Sequence, residues 1–379
     1  MSRSELTLDD VIHTVTTNAV DNQQANGAMP AGHNGPWGHE ETPVRNTGHW
    51  LITFLHVYEQ TGDTRFQEAA IDAVDYLLSD EARPHGYTFH HLRGDDASSP
   101  NGLVGQAWTI EALATAADAL DRPELSELAA EVFLSHPFDE TLAAWNVVDI
   151  TGDRLGFDLT FNHQLWFAAA GGLLSRQASV PAAVGDRVTH FLDEVETTLT
   201  VDEDGIIQHP FKPDFQPLKY AKIGFDAIRT GDAVKLVRGA LQSEVGDGMS
   251  DRAVGYQSFN LYGFALLAEQ FPDHQLWKSQ PMTEALSAVD TTQFKNRLDQ
   301  NPYGYPYNVS GFEFAYVEDV FGSSDSDKKT EWVTQQLRRT YDPNTETLSI
   351  NTPDPVTLTA RIYEATRIED VQINEDAIQ

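Results

Sequence analysis

The sequence predicts an all-α protein of the (α/α)6 barrel class, a six-hairpin toroid with long rim loops and minor β pieces. Three observations predict this fold. A loop rich in Gly, Asn and Pro leads repeatedly into an apolar helix, followed by a short turn and an amphipathic helix. Most of these units restart after about 50 to 60 residues, a period typical of helical arrays. The long polar loop always precedes the first helix of a pair, so we expect these loops at one rim of a closed ring.

The helical units follow one another along the chain. The first pairs VRNTGHWLITFLHVYEQ with FQEAAIDAVDYLLSDE, and the second pairs NGLVGQAWTIEALATAADAL with LSELAAEVFLSH. The third pairs TFNHQLWFAAAGGLLSRQ with VPAAVGDRVTHFLDEVETTL. Later units begin at VGYQSFNLYGFALLAEQF, at VSGFEFAYVEDVFG and at PVTLTARIYEATRI. The restart points are Asn46, Asn101, Asn162, Gln257, Asn308 and Thr357.

The two helices of a unit differ in polarity. The first is apolar nearly all round and should be buried in an inner ring, whereas the second carries alternating charge and should lie in an outer ring. An open superhelix is the alternative to a closed ring. The long interval after Asn162 leaves room for one more unit, expected to contain LKYAKIGFDAIRTGDAVKLVRGAL. No domain boundary is visible, so residues 1–379 are expected to form a single barrel domain.

Composition excludes several function classes. Hydrophobic residues make up 40% of the chain, which is enough for a core. The 25 basic and 58 acidic residues give a net charge of −33, and the acidic residues are dispersed. Such a surface indicates adaptation to high salt, where screening makes self-repulsion tolerable. Binding of nucleic acid is not expected, because phosphate contacts need a basic patch. The chain has no cysteine, which excludes disulfides, thiolate nucleophiles and Cys-zinc sites.

The expected compartment is the cytoplasm. The N-terminal MSRSELTLDDV lacks the apolar region of a signal peptide, and no apolar run approaches the ~18 residues of a transmembrane helix. No metal or cofactor is expected. HExxH is absent, and the adjacent rings of His90 and His91 should point in different directions. Gly-rich phosphate loops and dinucleotide-binding motifs are absent too.

One loop, HNGPWGHEETPVRNTGHW over residues 33–50, concentrates polar and aromatic side chains before the first inner helix. Sugar hydroxyls need hydrogen-bond donors and acceptors, and the apolar face of a pyranose ring packs on an aromatic ring. The alternative is an ordered loop whose polar groups satisfy its own backbone. Glu41 is a candidate acid or base here. Trp37, Arg45, Asn46 and His49 are candidate substrate contacts.

A second rim loop, HGYTFHHLRGDDASSPNG, precedes the second inner helix. Its carboxylates, Asp95 and Asp96, are candidates for acid/base catalysis. The alternative is that they cap a turn or a helix. His91 and Arg93 of the same loop are candidate substrate contacts. Asp158 is a further candidate carboxylate.

The inner helices begin with large polar or aromatic side chains where a core helix should be apolar. Burial of polar groups costs free energy unless they are paired or line a wet cavity, so their recurrence at one end of the helices predicts a polar bowl. The alternative for any one of them is a buried group satisfied by the protein itself. His163 and Glu313 are the candidate catalytic residues in this set. The candidate substrate contacts are Gln106, Trp108, Asn162, Gln164, Trp166, Tyr256, Gln257 and Asn260.

Some of these segments resemble known families. GQAW, beginning at Gly105, resembles the motif that opens an inner helix in unsaturated glucuronyl hydrolases, which are (α/α)6 barrels; their usual Arg is Val104 here. GHNGPWGHEETPVRNTGHW, NGLVGQAWTIEAL and FNHQLWFAAA together resemble the six-hairpin proteins encoded in archaeal N-glycosylation gene clusters, up to about Ala170. This resemblance implies processing of a sugar or hexuronic acid during assembly of a surface glycan. The expected partner is a sugar or a lipid-linked or nucleotide-linked glycan precursor.

Three functions remain open at this point. In a glycoside-hydrolase-like reaction, Asp96 or Glu41 protonates the leaving group and a second carboxylate activates water. The resemblance supports this reaction, since uronyl hydrolases use rim aspartates and Asp95 and Asp96 lie just before the GQAW helix. The second possibility is a glycan-binding protein without catalysis.

The third possibility is a sugar epimerase or isomerase. N-acylglucosamine epimerases share the barrel and use pairs of His for proton transfer. His49 or His163 would move the proton, because imidazole titrates near neutral pH. Arg45 or Arg93 would hold a sugar carboxylate through two parallel hydrogen bonds.

Overall fold

A computed structural model describes residues 6–94, 99–211, 247–322 and 326–373. Six inner elements form a ring around a common axis, as the sequence predicts. They are α2 (Val44–Thr61), α4 (Gly102–Ala119), α6 (Phe161–Leu174), α9 (Gln257–Gln270), α12 (Ser310–Phe321), and α14 (Pro355–Ala360) with its 3-10 continuation (Arg361–Arg367). Each packs against the next, and the last packs against α2. The ring is therefore closed, and the (α/α)6 prediction is confirmed.

Outer helices pack behind the inner ring. Helix α3 (Thr64–Leu77) packs on α2, α5 (Pro123–Ser135) on α4, α7 (Ala183–Thr198) on α6, and α13 (Ser326–Thr340) on α12. Helix α1 (Leu8–Val20) packs on both α2 and the last inner element. Behind α9 lie α8 (Asp247–Gly255), α10 (Gln280–Ala288) and α11 (Thr292–Asp299).

The inner and outer helices differ in burial. Helices α4 and α9 are buried on every face over most of their length, as expected for inner helices. Helix α3 is amphipathic and buries one stripe that includes Phe66, Ala70 and Val74. Among the helices that the structure describes, none is both long and apolar enough to cross a membrane.

Short strands complete the fold. β1 (Leu6–Thr7) pairs antiparallel with β7 (Gln372–Ile373), which joins the two ends of the described chain. β2 (Phe138–Asp139), β3 (Ala144–Val148) and β4 (Arg154–Phe157) form a three-stranded antiparallel sheet before α6. β5 (Tyr341–Asp342) and β6 (Thr347–Leu348) form a hairpin. The minor β pieces that the sequence predicts are therefore present.

The sequence-based expectation of an additional inner unit after Asn162 is wrong. Helix α6 packs directly against α9, so the inner ring has no place for another helix between them. The segment proposed for that unit, residues 218–241, lies outside the described residues.

Candidate functional site

The first residues of the loop over residues 33–50 are held by Asp354, which lies just before helix α14. Asp354 Oδ2 accepts hydrogen bonds from the N–H groups of His33 (2.9 Å) and Gly35 (3.1 Å). Burial raises the pKa of Asp354, but these backbone donors and that of Thr357 outweigh it, and the pKa is lowered. Gly35 has φ +54°, and a Cβ there would lie 2.2 Å from the Tyr307 ring. The first residues of the loop are therefore ordered, but the carboxylate that satisfies their backbone belongs to another part of the chain.

Arg45 lies at the centre of the barrel interior. Its Nη1 donates to Glu41 Oε1 at 2.9 Å and to Asn34 Oδ1 at 3.1 Å, and its guanidinium carbon is 4.1 Å from the centre of the Trp108 ring. The other Glu41 oxygen accepts from the Thr357 hydroxyl at 3.3 Å. Both oxygens of Glu41 are thus occupied, and this predicted acid or base is the counter-ion of a buried arginine. Arg45 Nη2 is buried and has no partner among the described residues.

His49 is neutral in this arrangement. Arg45 Nε donates to His49 Nε2 at 3.3 Å, so Nε2 carries the lone pair and Nδ1 carries the proton. Burial lowers the pKa of His49 well below its ordinary value, and the nearby charges of Arg45 and Arg361 lower it further. The ring stacks on Tyr363 with centroids 4.2 Å apart. His49 can therefore accept another proton only by giving up the bond from Arg45.

His91 is also buried and neutral. Its Nε2 lies 3.0 Å from the Thr109 hydroxyl, and its ring packs on the edge of Trp108. Burial lowers the pKa of His91 to about 3, with Arg45 contributing through its charge. His91 thus lies in the same interior cluster as Arg45, His49 and Trp108.

A second buried cluster surrounds Arg361, in the 3-10 continuation of α14. Its guanidinium lies 2.9 Å from Glu313 and 2.7 Å from Glu364, and it donates to Asn308 Oδ1 at 2.7 Å. Burial raises the pKa of Glu313 well above its ordinary value, and the adjacent Glu364 raises it further. One guanidinium therefore holds two carboxyl groups, and Glu313 favours the protonated acid.

A further ion pair joins helix α4 to the 3-10 continuation of α14. Glu111 lies 3.0 Å from Arg367, and burial raises the pKa of Glu111 to about 7. The tyrosines Tyr262 and Tyr363 lie within electrostatic range of this pair. Sequence reasoning missed these charged groups, although a glutamate inside an otherwise apolar inner helix was a visible signal.

Asp158 and His163 form a hydrogen-bonded dyad at the start of α6. His163 Nδ1 lies 2.8 Å from Asp158 Oδ2. The same carboxylate accepts from the N–H groups of Leu103 (3.2 Å) and Thr160 (3.1 Å). Burial raises the pKa of Asp158, but His163 and these backbone donors outweigh it, so the pKa is lowered. The carboxylate is therefore ionised and holds the proton of His163 on Nδ1, which leaves the lone pair on Nε2.

The dyad lies directly against the start of α4. Gly102 has φ +61°, and a Cβ there would lie 2.7 Å from Asp158 Oδ2 and 2.8 Å from His163 Nδ1. Only glycine allows both the backbone angle and the close approach. The side chain of His163 remains 27% exposed, so its free Nε2 can meet a ligand.

Three glutamines predicted to contact substrate bind backbone instead. Each side-chain amide accepts from an N–H group and donates to a carbonyl in the segment that precedes its inner helix. These bonds join Gln106 to Phe89 (2.8 and 2.9 Å), Gln164 to Trp145 (2.9 and 2.9 Å), and Gln257 to Ile207 and Gly205 (2.9 and 3.1 Å). All three side chains are fully buried. Their role is to fix rim segments to the helices, and the prediction of sugar contacts for them is wrong.

Trp166 belongs to the core as well. It stacks on Phe259 with centroids 4.3 Å apart, and its Nε1 donates to the Phe259 carbonyl at 3.0 Å. Trp37 lies at the rim, where its Nε1 donates to the Tyr256 hydroxyl at 3.2 Å. Arg93 is exposed. The predicted catalytic residues Asp95 and Asp96 lie outside the described residues.

Several buried polar atoms lack a hydrogen-bond partner in the part of the chain that the structure describes. They include Arg45 Nη2, His49 Nδ1, Asn46 Oδ1, both amide atoms of Asn162, Asn260 Oδ1 and Tyr363 Oη. An unsatisfied buried polar group costs about 1–3 kcal/mol. Such a set suits a ligand rich in hydroxyls. The described residues contain no group of three His, Asp or Glu that would hold a metal ion.

Known proteins resemble this chain. No family model matches the sequence. The archaeal glycosylation protein Q of Haloferax volcanii is 43% identical over 370 residues, which cover 97% of this chain and 99% of that protein.

Among solved structures, cellobiose 2-epimerase from Bacillus thermoamylovorans has a TM-score of 0.61 at 9% identity, covering 94% of this chain and 98% of its own. An inactive variant of the α-1,6-mannanase GH76A of Salegentibacter sp., with two adjacent aspartates replaced, has a TM-score of 0.57 at 11% identity, covering 95% and 98%. An unsaturated glucuronyl hydrolase specific for heparin has a TM-score of 0.57 at 13% identity, covering 95% and 96%. These likenesses show a shared six-hairpin fold. The identity to the Haloferax protein extends over the whole fold, and the chain belongs to the family of archaeal glycosylation protein Q.

Proposed function

We propose that this protein transfers a proton on a sugar of a glycan precursor, as a sugar epimerase or isomerase, with His163 as the base. The observation that carries the proposal is the dyad at the start of α6. Asp158 holds the His163 proton on Nδ1 at 2.8 Å, and Nε2 has no partner among the described residues. A partly exposed imidazole with a fixed tautomer is suited to accept a proton from a bound sugar.

The reaction needs no co-reactant. His163 Nε2 takes a proton from a carbon next to a carbonyl or carboxyl group, and the C–H electron pair moves onto the carbonyl oxygen. Return of the proton to the opposite face of that carbon gives an epimer, and return to the neighbouring carbon gives an isomer. The Asp158 carboxylate stabilises the imidazolium that forms in between.

His49 is less suited to be the base. Its Nε2 lone pair accepts from Arg45, and burial lowers its pKa. Its Nδ1 proton is buried without a partner among the described residues. Arg45 Nη2 is a second buried donor without a partner among the described residues.

The substrate we propose is a sugar or hexuronic acid in a lipid-linked or nucleotide-linked glycan precursor. Membership in a family of glycosylation proteins supports a glycan precursor. The unpartnered amide and guanidinium atoms support a ligand with many oxygens. The cellobiose 2-epimerase neighbour shows that this barrel shape accommodates an epimerase.

Proton exchange with solvent tests the proposal. The protein is incubated in D2O with free glucuronate, galacturonate, glucose and mannose, and deuterium at carbon is measured by NMR. We expect incorporation into at least one sugar next to its carbonyl or carboxyl group, and loss of incorporation by about 100-fold or more in His163→Gln, the scale of general base catalysis. His190→Gln is the matched control, because His190 pairs with Glu140 at 2.9 Å on outer helix α7. Equal exchange by His163→Gln and the wild type would refute the assignment.

Hydrolysis is a second candidate, and one sequence feature favours it. The GH76A mannanase neighbour is inactive when two adjacent aspartates are replaced, and this chain has the adjacent pair Asp95 and Asp96 in its second rim loop. Reaction in H2¹⁸O separates the candidates, because hydrolysis places one ¹⁸O in a cleaved product whereas epimerisation leaves the substrate mass unchanged.

A complementation test addresses the glycan itself. The chain is expressed in Haloferax volcanii lacking glycosylation protein Q, and the surface glycan is weighed by mass spectrometry. Restoration of the wild-type glycan by this chain and by Asp95→Asn/Asp96→Asn, but not by His163→Gln, supports proton transfer. Restoration by His163→Gln and not by the aspartate variant supports hydrolysis. Restoration by both variants supports a glycan-binding role.

A further inference from the structure

Arg252 lies at the mouth of the barrel on two aromatic rings. Its guanidinium carbon is 4.6 Å from the centre of the Trp37 ring and 5.7 Å from that of Tyr303. Hydrogen bonds hold both the Arg252 backbone and the Trp37 ring in place. Tyr256 N–H donates to the Arg252 carbonyl at 2.9 Å, and Trp37 Nε1 donates to the Tyr256 hydroxyl at 3.2 Å. The aromatic rings hold the guanidinium through its face, which leaves the N–H groups on its edge to bind a ligand.

Arg252 differs from the arginines deeper in the barrel. Arg45, Arg361 and Arg367 each form an ion pair with a glutamate. Arg252 forms no ion pair with any of the residues that the structure describes, although the chain has 58 acidic residues against 25 basic ones. A half-buried guanidinium without a counter-ion attracts an anion. The sequence analysis assigned anion recognition to Arg45 and Arg93, but Arg45 is paired with Glu41.

The mouth also brings Arg252 close to the dyad. His209 lies between them, since its ring is 5.2 Å from Tyr256 and its carbonyl accepts from Phe161 N–H at 2.8 Å, two residues before His163. His209 Nδ1 is buried without a partner among the described residues. Burial lowers the pKa of His209 to about 4, and the neighbouring His163 and Arg252 lower it further, which places all three side chains in one neighbourhood.

We propose that Arg252, held by Trp37 and Tyr303, is an anion-binding subsite that takes a carboxylate or phosphate oxyanion of the substrate beside His163. The proposal rests on the proposed function only in naming the reacting sugar as the ligand. An oxyanion accepts two parallel hydrogen bonds from the guanidinium edge, and the stacked rings set its plane. A uronic acid carboxylate and the phosphate of a carrier-linked sugar share this chemistry.

Binding of three small probes tests the subsite. Calorimetric titration with D-glucuronate, D-glucose 1-phosphate and D-glucose is carried out at one fixed salt concentration on the wild type, Arg252→Gln and Arg252→Lys. We expect Arg252→Gln to weaken binding of at least one anion by about tenfold or more, the scale of losing hydrogen bonds to a charged group. Binding of glucose should be unchanged. Arg252→Lys should lie between, because lysine keeps the charge without the planar fork.

Arg338→Gln is the control, since Arg338 is exposed on outer helix α13 and its loss changes the net charge equally. Loss of glucuronate binding alone assigns the subsite to a carboxylate, and loss of glucose 1-phosphate binding alone assigns it to a phosphate. Equal losses for all three probes, unchanged binding of both anions by Arg252→Gln, or no anion binding by the wild type would overturn the proposal. Titration measures binding alone, so deuterium exchange can fail while the subsite stands, and the reverse.

Discussion

Replacing Glu111 with glutamine should make the protein more stable at pH 8 and leave its stability nearly unchanged at pH 5. Glu111 is fully buried on inner helix α4, and Arg367 lies 3.0 Å away. Burial raises the pKa of this carboxyl from 4.5 to about 7. The folded state therefore binds the proton more tightly than the unfolded state does. Stability from this group is complete at low pH and is lost as the pH rises from the unfolded toward the folded pKa.

The structure gives the size of the effect. One unit of pKa corresponds to about 1.4 kcal/mol, so a rise in pKa from 4.5 to about 7 lowers the free energy of unfolding by about 3 kcal/mol between pH 4.5 and pH 7. Glutamine resembles the protonated acid in shape and does not titrate. The variant should therefore exceed the wild type by about 3 kcal/mol at pH 8. The ion pair with Arg367 acts against this gain, but its charge does not offset the desolvation of the carboxylate.

Urea unfolding of the wild type and Glu111→Gln at pH 5, 6, 7 and 8, at constant salt, measures the difference. Glu331→Gln serves as the control, because Glu331 is exposed and lies 3.9 Å from Lys295 on the surface. Its stability difference from the wild type should not change with pH. If Glu111→Gln is equally destabilised at every pH, the carboxylate contributes through its ion pair and the reasoning from desolvation is wrong.

Three further predictions concern stability. Arg45→Met should lower the free energy of unfolding in urea by about 3–5 kcal/mol, because it leaves Glu41 as a buried charge. The double variant Arg45→Met/Glu41→Leu should recover most of that loss. Additive effects of the two substitutions would contradict the pairing. Gln164→Leu should lower the free energy of unfolding by about 1–3 kcal/mol, since it leaves the N–H and carbonyl of Trp145 unsatisfied. The folded variant should still bind sugars. Loss of sugar binding at unchanged stability would return Gln164 to the ligand site. The net charge of −33 should lower the melting temperature on transfer from 3 M to 0.1 M KCl, where the Debye length grows to about 10 Å, and a melting temperature independent of KCl would remove the halophile interpretation.

The fold could be predicted because its determinants are local and repeat along the chain. Each inner helix begins with a polar loop and continues as an apolar run, and each outer helix carries one apolar stripe, so the order of elements can be read without knowing any contact. The additional unit after Asn162 was wrongly expected because spacing alone does not show which helices touch. That α6 packs directly against α9 is a property of the closed ring.

The site was less predictable because side-chain amides at the start of an inner helix serve two purposes. Gln164 and Asn162 are two residues apart on α6, yet the Gln164 amide is saturated by the Trp145 backbone whereas both amide atoms of Asn162 are unpartnered among the described residues. Sequence shows that polar groups gather there but not which backbone groups are left for them. Asp158 and His163 were each recognised as candidates. Their pairing depends on the turn before α6, which brings residues five apart to 2.8 Å.

The interior charges bear on the proposal that a chain with a net charge of −33 binds an anion. Arg45 and Arg361 are buried in the barrel and Arg367 is partly buried, and their ion-pair partners are Glu41, Glu313, Glu364 and Glu111. Burial raises the pKa of Glu111 to about 7 and that of Glu313 well above its ordinary value. The neutral acid is thus favoured at both glutamates, which reduces the negative charge beside the three guanidinium groups. Arg252 adds a further positive charge at the mouth. Charges that are buried in the barrel act on a bound ligand more strongly than the screened carboxylates of the surface. We therefore expect the acidic surface to govern salt dependence, and the proposed subsite at Arg252 to select the anionic ligand.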